Sequence, residues 1–139
     1  MTVIFIDDDA DDTALFCEVI YYLSKIDGVN TKKENVECIQ INDSRNVVGQ
    51  IAALETMPDC IFIDMHMPMI SGRECLEEIK AHGKYSGIPV IILSTALREN
   101  DVLELKTIGA VDCAVKPVTF AALTKMFALY VYGNVFTSI

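Results

Sequence analysis

The chain has 139 residues, the usual size of one domain, so one core is expected and no second catalytic or output module. Apolar residues make up 52% and charged residues 22%, with a mean hydropathy of +0.35, which excludes a disordered chain and calls for a large core. Lys plus Arg number 11 against 20 Asp plus Glu, and the net charge of −9 gives no electrostatic support to non-specific binding of nucleic acid or anionic lipid.

In chain order, apolar runs of strand length alternate with stretches of helical spacing. Val3-Ile4-Phe5-Ile6 reads as a first strand, followed by a helix whose buried face is expected to carry Leu15, Phe16, Val19, Ile20 and Leu23. Gly28 and Asn30 break that helix. A weaker strand follows from Val36 to Ile41, and then Asp43 or Ser44 can cap a helix bearing Val47, Val48, Ile51 and Leu54. Cys60-Ile61-Phe62-Ile63 is continuously apolar, as a strand covered on both faces should be, and it ends abruptly in Asp64. Ser71 and Glu74 have capping-box spacing before a helix with Leu76 and Ile79. Val90 to Leu93 forms the next buried strand, closed by Ser94-Thr95. A short helix through Val102, Leu105 and Ile108 then stops at Gly109. Val111 to Val115 is the last strand, and Thr119 caps a final helix through Leu123, Met126, Phe127 and Tyr130.

Strands that alternate with helices predict an α/β fold, a doubly wound five-stranded parallel sheet with five helices. Residues 1–132 account for it, leaving a short tail at 133–139. The five cysteines, at 17, 38, 60, 75 and 113, are odd in number and include no C-x-x-C pair, so reduced thiols filling the core are expected. The opening MTVIFIDDD has no basic segment before its apolar residues, and no uncharged apolar stretch reaches the roughly 18 residues of a membrane span. A soluble cytoplasmic protein is expected.

A doubly wound sheet places its ligand site beyond the carboxyl ends of its strands. Those ends carry Asp7-Asp8-Asp9, Asp64, Ser94-Thr95 and Lys116-Pro117. Three carboxylates in one cleft repel unless a hard cation neutralises them, and an oxygen-rich cluster suits Mg²⁺. A lysine and a hydroxyl opposite would meet the charge of a phosphoryl group. Two blander readings compete. Asp7 to Asp12 could be a solvated acidic turn at a helix start. They could also open a calcium loop, since Asp7, Asp9, Asp11 and Glu18 occupy positions 1, 3, 5 and 12, but Asp12 stands where that loop needs Gly and no entering helix precedes it.

With these residues in place, the chain resembles the receiver domain of two-component response regulators in its single-domain form. The matching residues are Asp7-Asp8, Asp64 in IDMHMPMISG, Ser94 in IPVIILST and Lys116-Pro117 in CAVKPVT. The resemblance covers the chain from Val3 to about Val131 and implies the flavodoxin-like (βα)5 fold. It implies Asp64 as phosphoacceptor from a sensor histidine kinase or histidine phosphotransfer protein. It further implies Mg²⁺ held by Asp8, Asp64 and the backbone carbonyl of His66, with Asp7 acting mainly through metal-bound water. Ser94 would bond a phosphoryl oxygen, and Lys116 would pair with the acidic cluster and then with the phosphoryl group. Output through an unknown protein partner is implied, with a homodimer allowed and neither nucleic acid nor membrane as a target. Cys113 departs from the family's usual aromatic residue in the last strand, and Ala96, two residues after Ser94, offers no polar group to position water.

Two other readings use the same residues. A haloacid dehalogenase-type hydrolase also forms an aspartyl phosphate with Mg²⁺, and Asp7-x-Asp9 fits its D-x-D pattern, but the chain is short for the cap such enzymes carry. A pseudo-receiver that is never phosphorylated is disfavoured by the presence of every phosphorylation residue.

Overall fold

The computed structural model describes residues 1–32 and 34–133. Five strands, β1 (Thr2–Ile6), β2 (Glu37–Ile41), β3 (Cys60–Asp64), β4 (Val90–Ser94) and β5 (Asp112–Val115), alternate with five helices. The helices are α1 (Ala10–Ser24), α2 (Val47–Ala52), α3 (Gly72–Ala81), α4 (Glu99–Ile108) and α5 (Phe120–Tyr132). All strand pairs are parallel, in the order β2-β1-β3-β4-β5. This is the expected doubly wound fold. The order reverses between β1 and β3, so the loops after those strands diverge to opposite faces and open a crevice at the sheet's carboxyl edge.

Every residue of β1, β3 and β4 is buried, which explains why these three read as unbroken apolar runs. Successive side chains leave a strand on opposite faces. Ile4, Ile6, Ile61, Ile63 and Ile92 therefore pack beneath Val47 and Ile51 of α2, Leu76 and Ile79 of α3, and Leu105 of α4. Val3, Phe5, Phe62, Ile91 and Leu93 face Phe16, Val19 and Ile20 of α1 and Leu123 and Phe127 of α5. Phe5, Phe16, Phe62 and Phe127 form one aromatic cluster with ring centroids 5.0 to 5.5 Å apart. That cluster fixes α1 and α5 over β1, which Asp7 and Asp8 follow, and β3, which ends in Asp64.

Local signals set most helix ends. Ser71 and Glu74 form the expected reciprocal capping box on α3, and the Thr119 side chain accepts from the Ala122 N–H to cap α5. Gly109 closes α4 with φ 136°. The α2 cap differs from expectation. Asn46, in the left-handed region that Asn tolerates better than most residues, accepts from Gly49 N–H instead of Asp43 or Ser44 doing so. Asp43 is taken up by the Arg45 N–H and guanidinium, while the buried Ser44 hydroxyl donates to the Pro68 carbonyl and accepts from Ile70 N–H. The helix also ends before Leu54.

Two further expectations are corrected. Leu15 is 37% exposed, because the buried stripe of α1 runs through Thr13, Phe16, Cys17, Ile20 and Leu23, and Leu15 sits off its edge. Cys17 and Cys38 are joined by a disulfide rather than standing as separate thiols. Packing α1 on the β2 side of the sheet brings their Cα atoms to 5.6 Å, inside the range a bridge needs. Cys60, Cys75 and Cys113 are free. The expected tail begins at Gly133, and residues 134–139 lie outside the described residues.

Alkylation of the denatured, unreduced protein should therefore modify three of the five cysteines, and modification of all five would contradict the bridge. Because the bridge closes a chain separation of 21 residues, Cys17→Ala should lower unfolding stability by about 3 kcal/mol under oxidising conditions, measured by urea denaturation.

Candidate functional site

The carboxyl edge of the sheet is built from hydrogen bonds that hold acidic residues together against their mutual repulsion. After β1, Asp7 N–H donates to the Ile41 carbonyl at 3.0 Å, and Asn42 Nδ2 donates to the Asp7 carbonyl at 2.8 Å. The Asp7 carboxylate accepts from Asp9 N–H, and Asp9 in turn caps α1 by accepting from the N–H groups of Asp11 and Asp12. Asp9 thus points to the helix start. Fully buried Thr13 locks the first turn, donating to Gln40 Oε1 and accepting from Asn42 Nδ2.

Asp64 ends β3 and is 8% exposed. Its neighbour Met65 donates to Leu93 O, and Gly72 N–H donates to Met65 O at 3.0 Å. A Cβ on Gly72 would lie 2.3 Å from the Asp64 carbonyl oxygen, so glycine is required for α3 to start this close behind the site. Lys116, just past β5, is anchored by its N–H to the Ser94 carbonyl at 2.7 Å.

The structure brings together the expected set. Carboxylate oxygens of Asp7, Asp8 and Asp64 lie within 4.8 Å of one another. Lys116 Nζ is 2.7 Å from Asp7 Oδ2, 2.8 Å from Asp12 Oδ2 and 3.8 Å from Asp64 Oδ1. Asp12 is a partner that sequence reasoning missed. Position i+5 from Asp7, on the first helical turn, was its only available signal.

Burial, with the nearby Asp7 and Asp8 charges, pushes Asp64 up to about 6, against the pull of Lys116 and the His66 N–H. Burial also raises Asp7, although its hydrogen bond to Lys116 and the Asp9 N–H work against it. For Lys116, burial acts to lower the pKa, but bonds to Asp12 and Asp7, with the Asp64 charge, outweigh it and raise it. The ammonium is firmly charged, and the carboxylates are the strained partners.

The remaining expected residues fall nearby in different ways. Ser94 is fully buried, and its hydroxyl donates to the Ala96 carbonyl at 2.7 Å, so it is engaged with its own loop rather than with the acidic cluster. Asp64 is in register with Leu93, which puts Ser94 on the adjoining strand end. His66 is exposed at the cleft mouth and approaches Asp64 through its backbone N–H. Cys113 is half-buried against the core on the α3 side, and burial raises its thiol pKa.

Three carboxylates with oxygen donors only, more negative than one lysine can balance, fit a hard divalent cation such as Mg²⁺. No thiol or imidazole among the described residues joins that group, which disfavours a zinc-type site.

Residues 3–128 match the family model of the response regulator receiver domain. Stress response regulator protein 1 of Meyerozyma guilliermondii is 31% identical over 71 residues, which are 51% of this chain and 32% of that protein. Protein PilH of Pseudomonas aeruginosa is 34% identical over 77 residues, 55% of this chain and 64% of that protein. The chain thus spans less than two thirds of the length of either relative. The crystal structure of Mn²⁺-bound response regulator Rcp1 superposes with a TM-score of 0.74 at 23% identity, covering 94% of each chain. The chain belongs to the response regulator receiver family.

The raised pKa of Asp64 has a sign that can be measured. A carboxyl held above its unfolded value of 3.8 binds more protons in the folded state, so stability falls as pH rises from about 4 through about 6. Asp64→Asn removes that repulsion and should raise stability at pH 7 without Mg²⁺ by about 2 kcal/mol, the gain vanishing below pH 4. Denaturation at the two pH values checks this, and equal stability of both proteins at pH 7 would contradict the crowding.

Proposed function

We propose that this chain is a phosphorylation-dependent switch in which Asp64 accepts a phosphoryl group from a sensor histidine kinase or histidine phosphotransfer protein. The observation that carries the reading is Asp64 ending a buried strand between two further carboxylates and the Lys116 ammonium. Residues 1–132 act as the receiver unit. An Asp64 carboxylate oxygen attacks the phosphorus of a phosphohistidine, the P–N bond breaks as the P–O bond forms, and the released imidazole nitrogen takes a proton from solvent. The negative charge that builds on the phosphoryl oxygens is met by Lys116, whose third N–H is not engaged by Asp7 or Asp12.

Asp8, Asp64 and the backbone carbonyl of His66 would hold Mg²⁺, with Asp7 acting mainly through metal-bound water. The ion supplies charge neutralisation at the phosphoryl oxygens. Rcp1, which shares this fold, has a Mn²⁺-bound form, which supports a divalent cation as ligand. Ser94, now bonded to Ala96, would exchange that acceptor for a phosphoryl oxygen, drawing the Thr95-Ala96-Leu97 segment with it. Cys113 has no ring to follow that movement, so the loop and α4 carry it. Their surface exposes Leu103, and Val115 of β5 lies exposed on the next element, which suits a protein partner. Among the described residues no helix is long and apolar enough to cross a membrane. A cytoplasmic setting, where kinases form phosphohistidine, completes the reading.

Incubation with acetyl phosphate and Mg²⁺ should add the mass of one phosphoryl group to the wild-type protein and none to Asp64→Asn. In the labelled sample, amide exchange should change most over residues 95–108. Full labelling of Asp64→Asn, or enzymatic turnover with no stable adduct, would point to a different carboxylate or to a hydrolase.

A further inference from the structure

Lys116 has two short carboxylate partners, and one of them lies outside the acidic cluster. The Lys116 ammonium carries three N–H donors. Asp7 accepts a hydrogen bond at 2.7 Å and Asp12 forms an ion pair at 2.8 Å, while Asp64 lies at 3.8 Å, beyond hydrogen-bond length. The Lys116 side chain is only 14% exposed, and its ammonium lies over the Phe16 ring, 5.9 Å from the centroid. Asp12 is held firmly. Its N–H is capped by Asp9, the next residue Thr13 is pinned to β2 and to Asn42, and Phe16 one turn on belongs to the aromatic cluster.

Asp7 is a poor sole anchor. It belongs to the carboxylate group that fits a cation, and any cation drawn there competes with the ammonium for its oxygens. Asp12 is not in that group, so a cation held there leaves the Asp12 oxygens to the ammonium. We infer that Asp12 is a positioning residue: from the first turn of α1 it holds the Lys116 ammonium over Asp64 with one N–H left free, so that the lysine meets a phosphoryl group arriving on Asp64 even when Asp7 is committed to a cation. This rests on the phosphoacceptor reading of Asp64 and assigns to Asp12 no contact with the phosphoryl group itself.

The neighbouring Asp11 is the natural control. It is exposed on the same turn, carries the same charge at the same helix end, and makes no ion pair with the described residues. The measurement is the saturating rate of phosphorylation by acetyl phosphate, with the Mg²⁺ midpoint measured alongside. Asp12→Ala should slow the saturating rate by about tenfold, as losing an orienting partner does at other sites, with Asp12→Asn between it and wild type. Asp11→Ala should change the rate by less than about twofold, since its charge is screened by solvent. Both Ala variants should shift the Mg²⁺ midpoint alike, because each removes one charge near the site, and Asp12→Glu should recover most of the rate. A rate for Asp12→Ala equal to that of Asp11→Ala, with Asp64 still the labelled residue, would overturn the positioning role alone. Absence of any adduct on the wild-type protein would overturn the phosphoacceptor reading beneath it.

Discussion

The fold is arranged around a repulsion that it cannot relieve by itself. Parallel strands β1 and β3 are neighbours, β3 ends in Asp64 and Asp7-Asp8 directly follow β1, so the register that buries Ile4, Ile6, Ile61 and Ile63 also brings Asp7 and Asp8 against Asp64. Moving the carboxylates apart would require a slip of β1 on β3, and a one-residue slip would exchange Ile4 and Ile6 with Val3 and Phe5 between the two packed faces. The core therefore holds the charges together. Lys116, at the end of β5, reaches across to offset part of the charge, and the excess that remains raises Asp64. A site with surplus negative charge and one committed ammonium is suited to gain a cation and then a phosphoryl group.

The same geometry connects the site to a surface. Ser94 and Lys116 are linked by the backbone bond from Lys116 N–H to the Ser94 carbonyl, so a change at either strand end is shared by β4 and β5. The Ser94 hydroxyl is occupied by Ala96, in the loop that leads into α4. α4 itself lacks a side-chain cap and buries only Leu105 fully, whereas α3 has a complete capping box and buries Cys75, Leu76 and Ile79. A lightly held helix that follows the Ser94 loop is the element a small displacement would move. Arg73 of α3 pairs with Glu104 of α4 at 2.6 Å, but both side chains are about half exposed, so that tie is weak.

Much of this was legible in the residues because the strongest signals have local causes. CIFI and VIIL could only be strands covered on both sides, and an aspartate ending one of them demanded partners. Ser71 with Glu74 and Thr119 announced helix starts whose bonds involve only their own turn. What escaped depended on which elements meet. Cys17 and Cys38 are unremarkable in sequence and become neighbours only when α1 lies on the β2 side of the sheet. Leu15 fits helical spacing as well as Phe16 does, and only the tilt of α1 toward α5 decides between them. Asp12 looked like one more solvated carboxylate at a helix start until Lys116, 104 positions later, was placed beside it. Asp43 and Ser44 were sound cap residues that other partners claimed, Arg45 in one case and the loop after β3 in the other.

The proposal that Asp64, which ends buried β3 and faces Asp7, Asp8 and Lys116, is the phosphoryl acceptor can be tested at the level of the single residue. Borohydride reduction of the protein treated with acetyl phosphate and Mg²⁺ converts an aspartyl phosphate to homoserine, and peptide sequencing then locates it. The account predicts homoserine at position 64 alone. Homoserine at position 7 or 8, or a modified histidine with no homoserine, would contradict it.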